Sequence, residues 1–276
     1  MRSFFTTPLD EMLYAWWLRI DAAYKRAFFV VVGVNLLAFG FEMTNLTLHH
    51  DDVSHFFVPG LINKYLGRFG FAPLHYYTQN GYFMPFLQMM QAIVLMTLYG
   101  LLVARFWGLR RTLDLALGAS MLGVFPFMAQ PYQYHTTRVP HAIAHLLAAL
   151  AVIASTRATL ISIICAALMY TAAFSIYQSV IANAAAIFGI WAIGKLLFSN
   201  TEVYFFSRSM LKAAAGALTA VAAGGVLYLF GVSLMDLDFD SYQAADQAFA
   251  LTGIFHPVEG LRAVLHGSRA FFFWPE

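Results

Sequence analysis

The sequence predicts an all-α, polytopic transmembrane helix bundle, and three observations carry that expectation. The chain is 61% hydrophobic and only 11% charged, where soluble domains run at about 45–50% and about 25%. Seven apolar runs reach or approach the ~20 residues needed to cross a hydrocarbon core. Lys and Arg divide unevenly between the segments that join those runs. A net charge of +2 with no basic tract argues against nucleic acid as a partner. The one cysteine, Cys165, lies inside an apolar run, so no disulfide framework can form.

In residues 1–26, Met12, Leu13, Trp16, Trp17 and Ile20 recur at helical spacing between charged residues. This predicts an amphipathic helix in the cytoplasmic interface, the Trp pair at headgroup level. No small-residue cleavage site follows the first span, so the segment is not expected to be a removable signal. The expected spans are 27–45, 82–104, 112–129, 139–155, 158–175, 179–198 and 213–234. The fourth is rich in small residues, which suits a helix packed among others. The fifth and sixth form a hairpin around Tyr177-Gln178. Together residues 27–234 make the bundle, with an outer loop at 46–81 and an outer C-terminal segment at 235–276.

With the N-terminus inside, the inner segments carry eleven of the sixteen Lys and Arg residues, and the outer ones carry Lys64, Arg68, Arg138, Arg262 and Arg269. The positive-inside rule then places the N-terminus in the cytoplasm. All nine histidines fall on or near the outer face. The outer side is therefore the chemically equipped one.

The loop at 46–81 opens with His49-His50-Asp51-Asp52 and continues with apolar residues that could lie along the bilayer surface. Asp51 and Asp52 suit a general base with a second carboxylate, which would raise the base's pKa or hold a cation or sugar hydroxyl. The alternative is that Asp52 caps a helix starting near Val53 while Asp51 is solvated. Arg68 offers a planar fork for a phosphate. Alternatively, Lys64 and Arg68 snorkel together toward headgroups. The turn Gln130–Arg138, with Gln133, Tyr134 and His135, suits a carbohydrate, and Arg138 is a second phosphate candidate. An interfacial aromatic belt explains the same residues. His141 and His145, four apart, have zinc-site spacing but no local acidic or cysteine ligand, so they are expected to line a polar cavity. Glu42, Gln88, Gln91 and Asn183 are intramembrane polar groups expected to face a cavity or another helix.

The order of these pieces resembles the serotype-converting O-antigen glucosyltransferases of bacteria and their phages, a family of polytopic type C glycosyltransferases. The residues that carry the resemblance are Asp51-Asp52 after the first span, Gly67-Arg68, the Gln/Tyr-rich turn before a small-residue helix, and Phe174-Ser175-Ile176-Tyr177-Gln178. It covers roughly residues 10–200. The resemblance implies transfer of glucose or another hexose from an undecaprenyl-phosphate carrier to a hydroxyl of O-antigen or a related glycan. The site would face the periplasm, in the bacterial inner membrane. Asp51 or Asp52 would be the base of an inverting reaction. Arg68, Arg138 and Lys64 would hold the lipid phosphate, and His50, Gln133, Tyr134, His135, Tyr177 and Gln178 the sugar or acceptor. No resident metal is implied, although the aspartate pair permits a divalent cation. Members of the family are often longer, so the chain is read as a short member, a truncated product or one half of a site. The competing readings are a lipid-glycan flippase, or a remnant that binds the lipid-linked sugar without turnover.

Overall fold

The computed structural model describes residues 9–45, 67–79, 82, 84–125, 132, 134–198 and 207–234, which form nine helices and no strand. They are α1 (Leu9–Arg19), α2 (Ala22–Thr44), α3 (Phe71–Gln79), α4 (Pro85–Phe106), α5 (Thr112–Val124), α6 (Arg138–Ser155), α7 (Leu160–Ile176), α8 (Val180–Phe198) and α9 (Arg208–Leu234). Five of them, α2, α4, α6, α8 and α9, are long and apolar enough to cross a membrane, and α5 and α7 are shorter apolar helices. Each of the seven apolar runs thus contains most of one of these helices. Large apolar side chains such as Leu37, Met121, Ile161 and Leu218 stand exposed on them, as lipid-facing residues do. The chain is a polytopic helical membrane protein.

The amphipathic segment ends earlier than its hydrophobic spacing suggests. The chain breaks at Ile20, and Asp21 caps α2, its carboxylate accepting from the Ala23 N–H at 2.8 Å. Residues 22–26 therefore belong to the first span.

Helix α6 is the hub, packing against α3, α4, α7, α8 and α9. Its Ala142, Ala144, Ala148, Ala149 and Ala151 are almost fully buried. Without a hydrophobic drive inside lipid, such small residues let helix backbones come close enough for dispersion and polar contacts to hold them. The same device seats α9, whose Gly216, Ala220 and Gly224 form one buried stripe, Gly216 against the end of α6 at Ser155 and Gly224 against α7. A Cβ on Gly224 would lie 2.6 Å from Tyr170 Cβ and 2.9 Å from the Ala167 carbonyl. The Thr171 hydroxyl donates across this interface to the Gly224 carbonyl at 3.1 Å.

The helices alternate in direction. One end of the bundle, here the site end, gathers the finishes of α2, α7 and α9 with the starts of α6 and α8. The opposite, far end carries the α1–α2 elbow and the basic residues Arg105, Arg110, Arg111 and Arg157.

Candidate active site

The site is built where a short strap, Gly67–Gly70, crosses the ends of α7 and α9. Gly67 has φ +69°, a left-handed conformation that costs a side-chain-bearing residue about 1–2 kcal/mol. Gly70 donates its N–H to the Ser175 carbonyl at 2.8 Å, and a Cβ there would meet Ser175 Oγ. Phe69 stacks on Tyr228 with ring centroids 5.9 Å apart, and Phe71 is fully buried. These anchors hold Arg68 between them.

Arg68 Nε donates to Gln178 Oε1 at 3.4 Å, and the guanidinium stands 5.1 Å over the Tyr177 ring. Gln178 Nε2 donates in turn to the Tyr228 hydroxyl at 2.9 Å. Among the described residues no carboxylate pairs with Arg68. Burial pushes its pKa below the ordinary value, and the Tyr177 and Tyr228 phenols act in the opposite direction. Among the described residues, this cation is held by one amide and one aromatic ring, neither of which neutralises it.

Beneath it stand the two histidines of α6. His141 packs against Tyr177 at 4.2 Å between centroids and lies within electrostatic reach of Arg68. It is buried, and neither ring nitrogen has a partner among the described residues. One turn deeper, Tyr99 donates to Asn183 Oδ1 at 2.9 Å, and Asn183 Nδ2 lies 2.9 Å from His145 Nδ1. With Oδ1 accepting, the amide nitrogen must donate, so Nδ1 accepts and a neutral His145 carries its proton on Nε2. That Nε2 has no partner among the described residues. Orphaned buried polar groups cost about 1–3 kcal/mol each, and a polar ligand would satisfy these.

A second cluster adjoins the first at the start of α6. Arg138, 1% exposed, has Nη2 3.8 Å from Glu42 Oε2 and 3.5 Å from His135 Nε2. Its Nε donates to the Tyr132 carbonyl. Tyr132 stacks on Phe39 of α2 at 4.1 Å between centroids. Burial raises the Tyr132 phenol above its ordinary pKa, with Arg138 pulling it down. Glu42 is the only carboxylate at the site end among the described residues.

The structure therefore brings together Arg68, Tyr177 and Gln178, and separately Arg138, His135 and Glu42, with His141 one turn below Arg138 linking the two groups. Tyr134 turns the chain into α6, its carbonyl accepting from the Thr137 N–H at 3.2 Å. Asp51, Asp52, His50, Lys64 and Gln133 lie outside the described residues. Sequence reading singled out Glu42, Asn183 and the α6 histidines as polar groups without placing them at this site. It passed over Tyr99 and Tyr228, because tyrosine is also ordinary at a lipid interface. Among the described residues no three His, Cys, Asp or Glu side chains come together as a metal site.

A helical bundle that sets an arginine with no carboxylate partner among the described residues beside a tyrosine ring and the buried His141 defines a polytopic membrane protein with a polar cluster at one end. Residues 40–259 match the glucosyl transferase GtrII family model, and the chain belongs to that family. It is a membrane glycosyltransferase. Searches of curated proteins and of solved structures gave no match.

Proposed function

We propose that the protein moves glucose from undecaprenyl-phosphate glucose to a hydroxyl of O-antigen or a related glycan, on the periplasmic face of the bacterial inner membrane. The observation that carries this reading is Arg68, a half-buried guanidinium whose partners among the described residues are all neutral. A lipid-phosphate leaving group would supply the missing negative charge, and its polyprenyl chain would lie in the surrounding bilayer. The Tyr177 ring offers an apolar face to a sugar. His141 and His145 Nε2–H offer hydrogen bonds to its hydroxyls.

The acceptor hydroxyl needs a carboxylate base at the same end of the bundle. Asp51 and Asp52, which follow α2 within a few residues, remain the candidates that the resemblance implies. Glu42, held 3.8 Å from Arg138, is a third. Arg138 then orients that carboxylate, or contributes to the phosphate site with Lys64. Inversion at the anomeric carbon follows if one carboxylate activates the acceptor while the phosphate departs from the opposite face.

The test is glucosylation of glycan in membranes carrying the full chain and its Asp51→Asn, Asp52→Asn, Glu42→Gln and Arg68→Ala variants. One carboxylate variant is expected to lose transfer by about 100-fold or more, and Arg68→Ala to raise KM for the donor. Full transfer by all three carboxylate variants would overturn the mechanism. Carrier-lipid transport unaffected by every substitution would favour the flippase instead.

A further inference from the structure

At the far end of the bundle, the elbow between α1 and α2 and the last three turns of α4 enclose a crevice of about 710 Å³. Binding pockets for small molecules commonly run at about 300–1,000 Å³. Val94, Leu98, Leu101, Leu102 and Arg105 follow one another along a single face of α4, at spacings of three and four, and Phe28 of α2 faces them across the crevice. From Arg105 to Val94 that face runs about 16 Å at 1.5 Å per residue, close to the ~15 Å of one leaflet.

The mouth is cationic. Arg19, Lys25 and Arg105 line it, and none has a carboxylate partner among the described residues. The only acid in the lining, Asp21, is engaged as the cap of α2. Lys25 stands 4.9 Å over the Trp17 ring and Arg105 5.1 Å over the Tyr24 ring, so aromatic faces hold both cations at the rim. The Tyr24 hydroxyl is buried without a hydrogen-bond partner.

We infer that this crevice binds one anionic glycerophospholipid, its phosphate at Arg19, Lys25 and Arg105 and an acyl chain along the Val94–Leu102 face. Basic pockets between transmembrane helices recognise acidic headgroups in this way. Charge complementarity at the mouth and leaflet-length apolar walls select the occupant together: a soluble anion would leave the walls empty, and a zwitterionic lipid would leave the cations unneutralised. The site is independent of the donor reading and lies at the opposite end of the molecule.

The test uses the full chain purified in zwitterionic detergent and offered equimolar phosphatidylglycerol and phosphatidylcholine, with retained lipid measured by native mass spectrometry. Wild type is expected to retain phosphatidylglycerol in about tenfold excess or more, from roughly one favourable contact per basic residue. The triple variant Arg19→Gln, Lys25→Gln, Arg105→Gln should bring the ratio near one. Leu98→Trp should reduce retention of both lipids by filling the crevice. Should the triple variant not purify as a folded protein, Arg105→Gln alone is expected to cut the preference by about half or more. Equal retention by wild type overturns the inference, as does an unchanged preference in the charge variants. Displacement of phosphatidylglycerol by millimolar glycerol phosphate overturns it too, since the site would then select a soluble anion.

Discussion

Gln178 sets the charge balance of the site. Its carbonyl accepts from Arg68 and its amide donates to Tyr228, so it orients the guanidinium without neutralising it. Gln178→Glu keeps the shape and adds a full negative charge at the same 3.4 Å. At an effective dielectric near 20, such a pair is worth about 5 kcal/mol, more than three decades in affinity for a competing anion even before solvent and entropy reduce it. The expected outcome is a folded protein with an unchanged or raised thermal midpoint and transfer lowered by about tenfold or more, through KM for the donor. Gln178→Ala should behave differently. It leaves Arg68 charged but poorly held, costs about 1–3 kcal/mol of stability, and reduces transfer less. Wild-type KM in Gln178→Glu would show that Arg68 does not meet the donor phosphate. The contrast with Arg138 is instructive. That cation already has Glu42 beside it, which suits it to positioning a carboxylate more than to receiving a phosphate.

Among the helices, the α7–α9 seam decides whether Gln178 finds Tyr228 at all. Tyr228 sits one turn beyond Gly224, so the spacing that Gly224 permits is passed to the site. Gly224→Leu would drive a Cβ against the Ala167 carbonyl, a backbone atom that cannot move aside. Gly225 has nothing within 4 Å of its Cβ position, so Gly225→Leu meets open space. Gly224→Leu is expected to cost about 1–3 kcal/mol of stability by overpacking and to reduce transfer with it, while Gly225→Leu changes neither. Equal thermal midpoints for the two variants would show that the seam is not tight. The helices themselves were legible in the sequence because length and apolarity are local properties, and even the hub role of α6 could be read from its alanines. The break before Asp21 was less so, since Met12 to Ile20 and the span beyond it share one apolar spacing and only the cap separates them.

On the scale of the molecule, the two ends differ in chemistry: Arg68 with the buried histidines His141 and His145 at one, Arg105, Arg110, Arg111 and Arg157 at the other. Arg68 and Tyr177-Gln178 stand out in the sequence by residue type, and the structure brings them into contact. The rest depends on neighbours far apart in the chain, as when Tyr99, Asn183 and His145 meet from three helices, and no local pattern encodes that meeting. Transfer on the periplasmic face requires the site end to face outward, and the basic far end to remain inside. Single cysteines test this in a Cys165→Ser background, since Cys165 is itself exposed on α7. Tyr77, on α3 at the site end, is 84% exposed, and Arg110, between α4 and α5, is exposed at the far end. A membrane-impermeant maleimide is expected to label Tyr77→Cys in cells with a permeabilised outer membrane. Arg110→Cys should be labelled only after the inner membrane is opened as well. The reverse pattern would turn Arg68 toward the cytoplasm and exclude a periplasmic acceptor, whatever the carboxylate variants do.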